Sequence, residues 1–372
     1  MNIPAFSPNA FKGDTCIRLY LTSLGYASLQ AAIDAAQNGD TIVFNEDIEQ
    51  ADGVIITDRT LTIDLNGKTF KVTEGKSTNN RNILINGTSV VTVKNGTMVA
   101  GGDYSSGAYG TIRTEGSANV TLTGLKLYNY RGNGLNIKAL SGTTVTVSDT
   151  EIYSQYGGGI ESAGGIIELT NVTVEQKGMY TAPYNSMAIS VNGGGKVTVN
   201  SGTYSTECIT AEEANGQGSS HGPWVAGVLN SGGTLIINGG TFKSNNGMIN
   251  VGSTVTINGG KFENVVEKTM TRHFAYVSAP LTINDGEFYG KANSSAGGCF
   301  FCGAAAGGDI QIKGGKFTSL WTSGSVNRIF EVYYGGTINV TGGMFNTNGG
   351  IATFVTENTD DATKAAYPYV AK

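Results

Sequence analysis

An eight-residue phrase recurs eleven times in this chain of 372 residues, at intervals short enough that each copy is one turn of a solenoid. The clearest copies are Leu235–Phe242 (L-I-I-N-G-G-T-F), Val255–Phe262, Leu281–Phe288, Ile310–Phe317 and Ile338–Phe345. Less regular copies begin at Ile63, Val91, Val120, Val145, Ile167 and Val197, and successive starts lie 20 to 38 residues apart. A unit of this length cannot bury its own apolar face and must stack on its neighbours. No linker interrupts the series, so one elongated domain replaces the two or three that length alone would allow.

The period inside the phrase identifies the unit. Positions 1 and 3 are aliphatic around a polar residue, which is strand alternation, and position 8 is again apolar, from Phe70, Met98 and Leu127 to Phe288, Phe317 and Phe345. Position 7 alternates among Thr, Lys and Glu and reads as a solvated outer row. Positions 5 and 6 hold the glycines, with Asn or Asp in some copies, as a corner with positive φ requires. Asn66, Asn200, Asn238, Asn258 and Asn284 stand before these corners, placed to form a ladder of side-chain amides. A second strand follows in most repeats, as at Thr111–Thr114, Ala188–Val191, Met248–Val251 and Phe274–Val277. The expectation is an all-β, right-handed parallel β-helix of about eleven coils, a rod on the order of 50 Å long. Leucine-rich repeats and propeller blades have other lengths and phrases.

Upstream, Tyr26–Phe44 (Y-A-S-L-Q-A-A-I-D-A-A-Q-N-G-D-T-I-V-F) predicts an amphipathic helix ended by Gly39 and followed by a strand. Here the chain resembles the pectate-lyase-like right-handed parallel β-helix superfamily, in its non-catalytic bacterial-surface or phage form. The resemblance covers roughly residues 20 to 356. It implies a helix that plugs the open end of the solenoid, where bare strand edges would otherwise face solvent. The organisation expected is 1–62 for the entry strand and capping helix, 63–356 for the β-helix, and 357–372 for a C-terminal cap or tail.

Composition narrows the partners. Glycine, at 55 residues, far exceeds average usage, and the net charge of -5 leaves no basic stripe for phosphates, so no nucleic acid is expected. No apolar run approaches a membrane span, and residues 1–25 carry Lys12, Asp14 and Arg18 without a signal-peptide core. Either a signal peptide was removed before this numbering or the protein leaves its cell another way, as a phage component released by lysis does. Cys16, Cys208, Cys299 and Cys302 lack the second pair that a zinc site needs, so no metal is expected and the thiols read as small apolar residues.

Function is expected where coils differ. The segment after position 8 carries Tyr104, Tyr128, Tyr130, Tyr153, Tyr156, Tyr180, Tyr184, Glu212, His221, Trp224 and His273. The same loop from successive coils forms one wall, and an aromatic wall suits sugar rings with apolar CH faces and polar rims. A glycan on a cell surface, or another polysaccharide, is therefore the expected partner. The resemblance implies, for its enzymes, an Arg or Lys base with calcium on acidic residues, or clustered Asp residues. The corresponding G-H-G and R-I-K phrases are missing, and N-T-D and D-D occur only together, as Asn358–Asp361 in the C-terminal tail.

The remaining catalytic candidates are Tyr130, Arg131, Glu161, Asp149, Glu212, Glu213 and His221, with Glu151 more simply paired to Lys126 on the outer row. The leading expectation is an extracellular, non-catalytic glycan-binding adhesin or virion receptor-binding component, trimeric if it belongs to a virion. The alternatives are a polysaccharide lyase or glycoside hydrolase, with calcium if a lyase, and a structural spacer or decoration protein.

Overall fold

The computed structural model describes residues 18–21, 26, 28–74, 81–101, 110–130, 136–154, 158–179, 187–209, 226–244, 247–266, 274–292, 299–303, 308–321, 328–332, 336–347 and 353–357. Among them are one helix and 33 strands, and every pairing between strands is parallel, each strand lying on its counterpart one repeat away. Three runs of strands result. Phrase positions 1–3 supply most of the first run and positions 7–10 most of the second, and with the upstream strands Arg18–Leu21, Asp40–Phe44 and Ile48–Gln50 they form a 21-stranded sheet. The second strand of each repeat supplies the third run, a 12-stranded sheet from Val54–Thr57 to Thr353–Glu357. The architecture is all-β and solenoid-like.

Alternation decides what each run buries. Ile, Val and Leu at positions 1 and 3 are buried, as are the position 8 side chains from Phe70 through Phe317, and the two meet in one continuous core. From Tyr204 to Phe345 the position 8 rings form an unbroken pile. Their centroids stand 4.7–5.0 Å apart with interplanar angles of 4–14°. The strand spacing of about 4.8 Å holds the rings at stacking distance, so the backbone ladder and the ring pile reinforce each other.

The corners change along the chain. Val90–Ala100, Asn119–Asn129, Thr144–Ser154 and Ile166–Met179 run through the corner as single long strands, each with one residue at positive φ: Asn95, Gly124, Asp149 and Asn171. These all occupy position 5. From Gly202 onward the bend moves to position 6, where Gly240, Gly260, Gly286, Gly315 and Gly343 have φ of 102–137° and the strand breaks.

Three expectations need correction. In ten copies the register matches the phrase alignment, but Leu61 pairs with Val91 and Ile63 with Val93, while Phe70 pairs with Met98. The copy assigned to Ile63 thus starts at Leu61, and two extra residues, with Leu65 buried and Asn66 and Gly67 at positive φ, are taken up in its corner. That wider corner removes Asn66 from the amide ladder, and its Nδ2 donates to Phe44 O at 3.1 Å. The other four asparagines do form the ladder: Asn238, Asn258 and Asn284 each donate to the preceding Oδ1 at 2.7–2.9 Å, and Asn200 donates to Glu168.

The helix is also shorter than expected. It spans Leu29–Ala35, N-capped by Ser28, whose Oγ accepts from Ala31 N at 3.2 Å. It ends at Ala36, which turns extended, and Gly39 with φ 96° serves the turn into Asp40–Phe44 instead. Leu29, Ala32 and Ile33 enter the core, while Gln30 spans the edge strand Val54–Thr57, accepting from Ile55 N at 2.8 Å and donating to Ile55 O at 3.1 Å. One side-chain amide thereby imitates the missing neighbouring strand.

Candidate functional site

The strands of the second run continue past position 8, which changes where the tyrosines sit. Leu127 and Asn129 are buried, so Tyr128 between them points outward from a strand and not from a loop. Tyr153 sits one repeat on in the same row, between buried Ile152 and Ser154. Tyr130, two residues after Tyr128, is 43% exposed on the same side. Its ring lies 5.5 Å from Tyr128 at 4° and 5.5 Å from Tyr153 at 47°, with Tyr128 and Tyr153 6.3 Å apart. Burial first, and then its two tyrosine neighbours, push the Tyr130 phenol pKa upward, so the hydroxyl stays a neutral donor.

A buried polar row supports this cluster from below, and the sequence pattern did not reveal it. Position 10 holds Asn129, Ser154, Gln176, Thr206, Ser244, Asn264 and Ser319, all facing inward. Under the tyrosines, Asn136 Nδ2 donates to Tyr153 O at 3.0 Å and to Ser154 Oγ at 2.7 Å, and Ser154 Oγ donates to Gly158 O at 2.9 Å. These bonds tie the start of the third run to the strand that carries Tyr153. A polar residue at position 10 in most repeats, just before a loop, is the signal that could have found the row.

A second cluster lies on the outer face of the third run. Arg113, Lys138, Glu161 and Ser190 are successive partners in register. Glu161 is held at both oxygens, by Lys138 Nζ at 2.9 Å and by Asn192 Nδ2 at 2.9 Å. Arg81, 4% exposed, faces the same group, and burial, then Arg113, bring its pKa down to about 10 against the pull of Glu161. A carboxylate so committed anchors Lys138 and Asn192 and is a poor general acid or base.

Among the other candidates, Asp149 is a corner residue with φ 47° whose carboxylate accepts from Asn171 Nδ2 at 2.7 Å. Glu151 pairs with Lys126 at 3.2 Å on the outer row, as its position implied. Tyr130 therefore joins Tyr128 and Tyr153, whereas Glu161 joins Lys138 and Asn192. Tyr104, Arg131, Tyr156, Tyr180, Tyr184, Glu212, Glu213, His221, Trp224 and His273 lie outside the described residues, as does the tail beyond Glu357. Among the described residues no group of three or more His, Cys, Asp or Glu side chains could hold a metal ion.

Fold and face together define a class: an all-β protein of stacked parallel strands with an aromatic and charge-patterned outer face. No protein-family model matches the chain, and no curated protein does. Among solved structures it is similar to the SRRP of L. reuters 100-23, at 16% identity and a TM-score of 0.46 over 88% of this chain and 96% of that one.

Proposed function

We propose that this protein is an extracellular right-handed parallel β-helix that binds a glycan without cleaving it, as an adhesin or a virion receptor-binding component does. The observation that carries this reading is the Tyr128–Tyr130–Tyr153 cluster. Three rings gathered on the outside of a rigid sheet expose apolar faces with hydroxyls at their rims, and sugars present the complementary CH faces and hydroxyls. The commitment of Glu161 to Lys138 and Asn192 favours binding over cleavage. No helix among the described residues is long and apolar enough to cross a membrane.

The test is retention of purified protein on immobilised polysaccharides, with reducing ends and unsaturated uronates followed in the same samples. Retention without product, reduced at least about tenfold in Tyr130→Ala and Tyr153→Ala, is the expected outcome. Product formation would replace the reading with a polysaccharide lyase or hydrolase. Absence of retention would leave a structural spacer.

A further inference from the structure

The row that carries Tyr128 and Tyr153 continues outward-facing through Glu175, Ser205, Lys243 and Glu263 to Tyr289 and Thr318. Tyr289 stands five strand spacings beyond Tyr153, about 24 Å along the stacking direction. It borders a recess of about 210 Å³ lined by Lys261, Glu263, Glu287, Tyr289, Lys316 and Thr318. That volume falls below the range of about 300–1,000 Å³ for whole-ligand pockets and suits a single ring.

The lining has the makeup of such a subsite. Tyr289 offers a ring face, Thr318 a hydroxyl, and Glu287 and Lys316, partners in register, a charged acceptor beside a charged donor. We infer that this recess is a second sugar subsite, in line with the tyrosine cluster, and that one extended glycan lies across both, parallel to the stacking direction. The inference rests on the glycan-binding reading above.

The charge pattern between the two platforms selects the class of glycan. Among the described side chains on the outward positions from Glu175 to Lys316, four are glutamates (Glu175, Glu207, Glu263, Glu287) and four are lysines (Lys177, Lys243, Lys261, Lys316). They are interleaved and paired: Lys177 reaches Glu175 and Glu207 at 4.0 and 3.8 Å, and Glu263 is reached by Lys243 at 3.8 Å and Lys261 at 2.6 Å. Among these described side chains a polyanion would meet as many carboxylates as ammonium groups. An uncharged glycan meets hydrogen-bonding groups of both kinds without net repulsion, so the ligand is an uncharged polysaccharide.

Cello-, manno-, malto- and N-acetylchito-oligosaccharides of increasing length, beside uronic-acid and sulfated ladders, would be titrated against the full chain and against Tyr153→Ala, Tyr289→Ala and Tyr289→Phe. Far-UV circular dichroism would confirm that each variant is folded. In one uncharged series, affinity is expected to rise once the chain is long enough to reach both platforms. Tyr289→Ala should remove about tenfold of affinity for long members and none for short ones, Tyr289→Phe should retain most of it, and Tyr153→Ala should weaken both lengths.

If Tyr153→Ala weakens binding while Tyr289→Ala leaves long chains unaffected, the second subsite is overturned and the glycan-binding reading stands. Preference for a charged ladder that fades with added salt overturns the uncharged class. If neither tyrosine matters for any ladder, the reading falls and this inference with it.

Discussion

Tyr204 shows how much one atom at the head of the ring pile decides. Its ring stacks on Phe242, and its buried hydroxyl donates to Ser201 O at 3.0 Å, satisfying the one polar group that the later phenylalanines lack. Burial pushes its phenol well above the usual value of 10.0. Below about pH 10 the phenol is protonated whether the chain is folded or unfolded, and its contribution is whole. Above that the unfolded chain gives up the proton first, and stability drains away as pH rises. Tyr204→Phe should cost about 1 kcal/mol at neutral pH for the lost hydrogen bond. Its urea midpoint should then fall less steeply than that of the parent chain from about pH 9 to pH 11. Parallel curves through that window would show that another group controls alkaline stability. Asp149 makes the converse point: a carboxylate that looked available for chemistry is held in a left-handed corner by its backbone and by Asn171.

At the level of the element, the corner sets the register of everything after it. Gly260 has φ 112°, and a Cβ there would stand 3.0 Å from Gly240 O and 3.4 Å from the ring of Phe262. Gly260→Ala should therefore destabilise by about 2 kcal/mol, from strain at that φ together with the push on the ring pile. Asp149→Gly, at a φ of 47° that glycine adopts freely, should change stability by less than about 0.5 kcal/mol. Equilibrium urea unfolding of the two variants gives the comparison, and equal effects would mean that the late corners are more adaptable than their close contacts imply. Both kinds of corner were foreseeable as Gly, Asn or Asp. Which of positions 5 and 6 bends was not, because it depends on whether the strand runs through the corner or breaks there.

For the whole molecule, each repeat touches chiefly the repeats beside it, so stability is a sum of neighbour interfaces and the ends have half as many. The long strands Asn119–Asn129 and Thr144–Ser154 lie in the interior of that array with partners on both sides. Their amides should show the slowest hydrogen exchange. Arg18–Leu21 and Met344–Thr347, each paired on one side among the described residues, should exchange fastest. Mass-spectrometric exchange resolves these peptides, and uniform protection along the chain would mean that the array unfolds as one unit. The same arithmetic makes the tyrosine cluster a rigid platform, since it sits on the best-supported strands.

The repeat by itself determined which side of each strand is buried, that position 8 would stack, and that asparagines before the corners would form a ladder, as four of the five named do. A residue at a fixed phase of a strand keeps one face whatever surrounds it. Only the tertiary structure decided that Leu65 widens the first corner, that Glu161 is claimed by Lys138 and Asn192, and that Tyr130 packs against both Tyr128 and Tyr153. Those contacts join residues tens of positions apart, or turn on a single backbone angle. Alternation along a strand specifies a face, whereas the neighbour across the gap is specified by register and by the corner before it.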